Sequence, residues 1–98
     1  MVAVSFNARE RRVVLDGPCW PEDAGGVAEV IHEAAGTTQA LVLDLTRVAG
    51  LPVEVATAIT RARCAVEANG CRVTVWTLPA SAVERDLTDA MRGEVVAT

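Results

Sequence analysis

Aromatic side chains are scarce in this 98-residue chain, at 3% of the composition, although 51% of the residues are hydrophobic. The core must therefore be built from Val, Leu, Ile and Ala, packed closely. A domain of this size buries only about two-thirds of the surface of its unfolded chain, so most of those side chains are needed in the core. We expect little room for a large ligand cavity, which disfavours a small-molecule enzyme.

Clustered positive charge is also missing. The net charge is −4, and the nine basic residues, all arginine, are scattered along the chain. Nucleic-acid binding needs a positive patch that neutralises phosphates, so we expect no nucleic-acid partner. The longest apolar stretches, such as residues 40–43, are far short of the roughly 20 residues that span a bilayer. The first residues lack the pattern of a signal peptide. We expect a cytoplasmic protein without membrane insertion.

Motifs for catalysis or metal binding are absent. Cys19, Cys64 and Cys71 form no CxxC pair and have no histidine at ligand spacing, and His32 is the single histidine. Hydrolysis would need a nucleophile–base pair or paired carboxylates. The glycine pair at 25–26 lacks the lysine and hydroxyl residue of a phosphate-binding loop. We expect reduced structural thiols, no metal, no cofactor and no enzymatic activity.

Hydrophobic patterns in the first half of the chain predict two strands, a helix and a third strand. Alternation over residues 2–6 and the run Arg12–Asp16 predict strands joined by a polar turn. Pro21, followed by two acids, predicts the start of a helix that Gly36 closes. The apolar run over 39–45 is typical of a strand covered on both faces.

The second half continues the alternation. A loop over 46–51 leads to a long helix that begins at Pro52, followed by a strand over 72–78 and a helix capped by Ser81. Strand–helix–strand units imply parallel neighbours with right-handed crossovers. We therefore predict an α/β fold with the order β-β-α-β-α-β-α, a mixed, mostly parallel four-stranded sheet and about three helices. The chain, residues 1–98, is predicted to be a single domain.

The segment over 41–51, LVLDLTRVAGL, resembles the STAS domain, the fold of bacterial anti-sigma factor antagonists. In that family a buried strand ends in Asp-Leu-Ser/Thr, and a short loop delivers Asp-Ser-Ser-Gly to the start of a long helix. Asp44, Leu45 and Thr46 match the strand end, and a helix follows at the same distance. The segment over 69–75, NGCRVTV, looks like the family's helix exit and last core strand.

The functional motif of that family is altered here. Pro52-Val53-Glu54-Val55 stands in place of Asp-Ser-Ser-Gly, so Glu54 occupies the position of the second serine, the usual target of the partner kinase. A second family acid, from a Gly-Glu-Leu-Asp pattern after the second strand, falls on Trp20. The partner that the resemblance implies is an anti-sigma factor with a kinase-like ATP-binding fold.

Glu54 has two interpretations. Its single negative charge at a helix start imitates a phosphoserine, whose charge is roughly −1.5 to −2, and fixes the domain in its low-affinity state. Alternatively, Glu54 is the third helical residue and caps main-chain N–H groups, as Glu commonly does there. Thr57, one turn later, is an alternative phosphoacceptor.

The resemblance places the partner surface on the 46–51 loop and the start of the following helix. The predicted contacts are Thr46, Arg47, Leu51, Pro52, Val53, Glu54 and Thr57. Leu51 and Val53 are expected to supply apolar contacts, and the charges of Arg47 and Glu54 are expected to tune specificity. Trp20 is either an exposed anchor for the partner or a staple that holds the first helix to the sheet.

The function that the resemblance implies is that of an anti-sigma factor antagonist-like component of a partner switch. Such a module docks on an anti-sigma factor and frees the sigma factor. The alternative keeps the fold and changes the partner: an accessory STAS subunit of an ABC-type lipid transporter that binds its ATPase. A homodimer is compatible with either function.

Overall fold

The computed structural model describes residues 1–96, with side chains described as far as residue 92. The strands are β1 (Ala3–Asn7), β2 (Arg12–Asp16), β3 (Ala40–Arg47) and β4 (Arg72–Trp76). The helices are a 3₁₀ turn (Pro21–Asp23), α1 (Ala24–Ala35), α2 (Val53–Ala68) and α3 (Ala82–Val96). The predicted element order and the α/β fold class are confirmed.

The four strands lie in the sheet in chain order, β1-β2-β3-β4. β1 pairs antiparallel with β2, whereas β2, β3 and β4 are parallel. The carboxyl ends of those three strands therefore meet at one end of the sheet, which we call the carboxyl end. β1 starts at that end too, because Ala3 pairs with Asp16. The opposite end is the amino end.

The core lies between one face of the sheet and the helices. Alternate strand residues are buried there, including Val13, Leu15, Leu43 and Leu45. α1 and α2 pack against each other and bury residues such as Ile31 in the same core. Fully burying such a side chain stabilises the fold by about 1.5–3 kcal/mol. Among the described residues, every buried hydrophobic side chain is aliphatic or a cysteine, as the scarcity of aromatics predicted.

No helix in the described part of the chain packs on the second face of the sheet, so the prediction that β3 is covered on both faces is wrong. Right-handed crossovers that step in one direction, from β2 to β3 to β4, place both connecting helices on the same face. Val42 of β3 is consequently only half-buried. Strand pairing aligns the residues of this open face as Ser5, Arg12, Val14, Val42, Asp44, Thr74 and Trp76.

Two element boundaries near the predicted partner surface also differ from expectation. β3 continues to Arg47, so Thr46 and Arg47 belong to the strand and not to the loop. α2 begins at Val53, with Pro52 in an extended conformation before it, so Glu54 is the second helical residue instead of the third. The first helix likewise starts as a 3₁₀ turn before α1.

α3 follows β4 in the chain and packs on α2. At the start of α3, the Ser81 hydroxyl oxygen accepts the N–H of Glu84, as the capping pattern predicted. None of the helices formed by residues 1–96 has the length and apolar character needed to cross a membrane.

Candidate functional site

Asp44 fixes the last residues of β3. Its Oδ1 accepts the Thr46 hydroxyl at 2.6 Å and the Thr46 N–H at 3.0 Å, and its Oδ2 lies 3.8 Å from Nη1 of Arg12. Burial raises the pKa of Asp44, but the bonds from Thr46 and the charge of Arg12 outweigh it and leave that pKa below its ordinary value. The Thr46 hydroxyl proton is thus held inside the domain and is not offered to a partner.

Asp86, on α3, fixes the loop that follows β3. Its Oδ2 accepts the N–H of Leu51 at 2.9 Å. The Leu51 side chain is only 7% exposed and joins the core with Val48. The expectation that Leu51 supplies an apolar contact to a partner is therefore wrong: a small domain needs that side chain in its core.

The start of α2 presents an exposed surface. Val53 is 69% exposed, and Glu54 and Thr57 line a shallow depression of about 350 Å³ with Ala58 and Arg61. Pro52, the N-cap residue of α2, makes no side-chain cap hydrogen bond, and no described hydrogen bond joins Glu54 to the main chain of the first turn. Its charge still faces the positive end of the helix dipole, an interaction of typically 0.3–1 kcal/mol.

Trp20 stands just before the 3₁₀ turn and is 53% exposed. Oδ2 of Asp23 accepts the main-chain N–H of Trp20 at 2.9 Å and the main-chain N–H of Val2 at 3.2 Å. The bond from Trp20 lowers the pKa of Asp23, burial opposes it, and the bond from Val2 lowers that pKa further. The neighbouring Cys19 packs on the core. The main chain and Cys19 hold this segment, and the indole remains half exposed.

Trp76 lies at the end of β4 on the open face and is 44% exposed. The guanidinium of Arg12 stands 5.7 Å from the centroid of its ring, and Nη2 of the same arginine lies 3.1 Å from Oε1 of Glu10. Trp76 therefore does not pack in the core.

The exposed large hydrophobic side chains collect at the carboxyl end. Five of the six in the described part of the chain lie there, whereas Met91 lies on α3. The five are Met1, Trp20, Val53, Trp76 and Leu78. They belong to four separate segments, at the start of β1, after β2, after β3 and at the end of β4. Met1, Trp76 and Leu78 were not predicted as part of this surface, since only the strand order brings them to it.

Thr46 and Arg47 end β3 at the same end of the sheet. The Arg47 side chain is 63% exposed, with Nη1 3.6 Å from Oδ2 of Asp16. Pro52 is half-buried. Of the predicted contacts, Arg47, Val53, Glu54 and Thr57 therefore remain accessible, while the side chain of Leu51 does not.

The cysteine thiols and the metal-ligating residue types show no arrangement typical of a catalytic site in the described part of the chain. Burial raises the pKa of the Cys19 thiol and of the Cys71 thiol, and Cys64 is exposed. Among the side chains that the structure describes, up to residue 92, no three His, Cys, Asp or Glu are grouped so as to hold a metal ion. An open cleft of about 550 Å³ lies at the amino end and is lined partly by His32 and Asn69.

No family model and no curated protein matches this chain. Among solved structures it is similar to SiaC of Pseudomonas aeruginosa, with 18% sequence identity and a TM-score of 0.69 over 94% of this chain and 82% of that chain. It is also similar to a part of Mglu, with 23% identity and a TM-score of 0.62 over 81% of this chain and 20% of that chain. At these identities the likeness shows a shared fold.

Proposed function

We propose that this domain is a STAS-like regulatory module that binds a protein partner, as an anti-sigma factor antagonist-like component of a partner switch. The observation that carries the proposal is that five exposed large apolar side chains lie at the carboxyl end of the sheet, where α2 also begins. Large apolar side chains left exposed at one end of a small protein are candidates for an interaction site. The fold shared with SiaC is compatible with this assignment.

Trp20, Val53 and Trp76 are the proposed anchors of the interface. Tryptophan is enriched among residues whose truncation costs most binding energy, and charged residues around such anchors tune specificity and association rate. Arg47 and Glu54 occupy such rim positions. The partner we propose is an anti-sigma factor with a kinase-like ATP-binding fold, which would release its sigma factor in the cytoplasm when this domain docks.

In this proposal, Glu54 keeps the domain permanently in the state that phosphorylation would produce. It places a permanent negative charge where the family carries a phosphorylated serine, and its exposed position next to Val53 lets that charge act on the partner. Thr57, half-buried in the same depression, is the remaining hydroxyl that a kinase could modify there.

We propose no catalytic role. Nucleophilic cysteines react as thiolates, and the raised pKa of the Cys19 and Cys71 thiols disfavours that form. The exposed surface at the carboxyl end is suited to binding a protein rather than to chemistry on a small molecule.

The test compares two variants that each add one charge to an exposed apolar position. Val53→Glu lies at the proposed interface, and Met91→Glu, on α3, is the control because Met91 is 50% exposed. Purified anti-sigma factors from the source organism are titrated with each protein by calorimetry. We expect wild type and Met91→Glu to bind alike and Val53→Glu to bind at least about tenfold more weakly, as for a loss of roughly 1.4 kcal/mol at an anchor.

Kinase activity provides a second measurement with the same proteins. Incubated with the partner and ATP, Glu54→Ser should be phosphorylated at residue 54, whereas wild type should not. If no anti-sigma factor binds, and a transporter ATPase co-purifies with wild type and is lost with Val53→Glu, the accessory-subunit alternative replaces the proposal.

A further inference from the structure

β1 is an edge strand of the sheet. The N–H and C=O groups on its outer edge pair with no strand of the described chain. Proteins usually protect such a strand with charged side chains, proline or a bulge, since it is a template for pairing with another chain.

β1 has none of these protections. Residues 1–7 contain no charged side chain and no proline, and the pairing of β1 with β2 runs without a register shift. β4, at the other side of the sheet, starts with Arg72. It is also flanked by α3, whose Leu87 and Met91 line a cavity of about 180 Å³ with Val75. The two sides of the sheet therefore differ in how open they are to another strand.

The sequence of β1 is complementary to itself in the antiparallel direction. With Ser5 opposite Ser5 of a second copy, Val4 stands opposite Phe6 and Ala3 opposite Asn7. Val4 and Phe6 are half-buried on the helix-covered face, and cross-strand pairs of aromatic and β-branched side chains stabilise a sheet. Ser5, exposed on the open face, meets only its own copy at the two-fold axis, so no charge opposes the contact.

We propose that β1 pairs antiparallel with β1 of a second copy, which joins two four-stranded sheets into one continuous sheet across a two-fold axis. Closed two-fold dimers with self-complementary interfaces are the commonest oligomers of soluble proteins. Five-residue strands bury less area than the roughly 1,200 Å² that a stable interface needs, so we expect dissociation in the micromolar range. This inference uses the side of the sheet and is independent of the partner proposed for the carboxyl end.

The test places like or opposite charges on the two-fold axis. Ser5→Lys and Ser5→Glu each bring identical charges face to face, and like charges directly opposite on paired strands are destabilising. We expect sedimentation equilibrium to show a wild-type dimer, each variant alone to dimerise several-fold more weakly, and an equimolar mixture of the two to dimerise at least as well as wild type. Circular dichroism and urea unfolding confirm that both variants fold.

Thr74→Lys is the matched control, because Thr74 is the exposed central residue of β4 on the same open face. It should leave the dimer unchanged. A wild-type protein that remains monomeric throughout the micromolar range would overturn the proposal. So would Ser5 variants that dimerise like wild type, or a dimer that Thr74→Lys abolishes while Ser5→Lys does not.

Discussion

The two ends of the sheet are built from the same four strands but hold their loops differently. At the carboxyl end, three aspartates accept main-chain N–H groups near the ends of the strands. Asp23 holds the start of β1 and the segment after β2, Asp44 holds the end of β3, and Asp86 holds the loop before α2.

At the amino end, neutral groups do the same work: Oδ1 of Asn7 accepts the N–H of Glu10, Oγ1 of Thr38 accepts the N–H of Ala40, and main-chain carbonyls accept others. The N–H of Cys71 donates to the carbonyl of Val66, and the N–H of Arg72 donates to that of Gln39. Gly70 turns the chain there with a φ of +93°, a left-handed conformation that favours glycine. The carboxyl end thus differs in using aspartate carboxylates as the acceptors, and it is also where most of the exposed large apolar side chains lie. A surface held in this way loses little freedom when a partner binds, which favours affinity.

The largest effect in this comparison should come from Asp44→Ala. It leaves the Thr46 N–H without its acceptor and removes the nearby acid from Arg12, so we expect a loss of about 2 kcal/mol of unfolding free energy. Asn69→Ala, which removes an exposed side-chain bond to the Ala65 carbonyl at the amino end, should cost less than about 0.5 kcal/mol. Urea unfolding measures both, and equal losses would show that the two ends are not held differently.

The second-largest effect should be a fall in the free energy of unfolding at acid pH, caused by protonation of aspartates at the carboxyl end. The pKa values of Asp23 and Asp44 are lowered in the folded state. Their stabilisation is therefore complete above the unfolded-state pKa of about 3.9 and is lost as the pH falls through the lower folded-state values. Urea unfolding between neutral pH and pH 3 should show stability falling at the acid end of this range. The double change Asp23→Asn with Asp44→Asn should flatten that fall, whereas Asp89→Asn, an exposed acid on α3, should not.

A smaller effect is expected from Asp86→Ala, which removes the acceptor of the Leu51 N–H. We expect a loss of about 1 kcal/mol of unfolding free energy. Hydrogen exchange at Leu51 should accelerate more than exchange at Val66, in the last part of α2. Asp86→Asn keeps an acceptor oxygen and should recover part of both effects, whereas unchanged exchange at Leu51 in Asp86→Ala would contradict the assigned role.

The smallest effect on stability should come from the contact of Arg12 with Trp76. An exposed cation–π pair contributes about 0.5–1 kcal/mol, so Trp76→Leu should lower the unfolding free energy by no more than about that amount. A double-mutant cycle with Arg12→Gln isolates the pair. If Trp76 is an anchor for the partner, Trp76→Leu should weaken binding by a larger factor than it weakens folding.

Element order was predictable from the sequence because proline, glycine and capping residues mark the ends of most elements. The run over 39–45 did not show that only one face of β3 is covered, since that depends on the direction in which both crossovers step. The position of Glu54 was misplaced by one residue because Pro52 stands before α2 and not inside it.

The candidate site was predictable only where it follows the chain. Val53 and Glu54 are neighbours at a helix start, and the resemblance pointed to them directly. Asp86 contacts Leu51 across 35 positions, and Trp76 reaches the same end of the sheet through strand order. Neither contact leaves a local pattern, so both required the fold. Leu51 was assigned to the partner surface from the resemblance, whereas its side chain is buried in this small core.

The match between strand order and chain order bears on how the molecule folds. Each strand pairs with the strand next to it in sequence, so no pairing has to wait for a distant part of the chain. The entropy of closing each loop is then that of a short turn or of one helical connection, and it grows only slowly with loop length. Folding rates fall as contacts become more distant in sequence. This arrangement favours rapid folding in which the hairpin of β1 and β2, the nearest pair in sequence, can form before β3 and β4 add in turn.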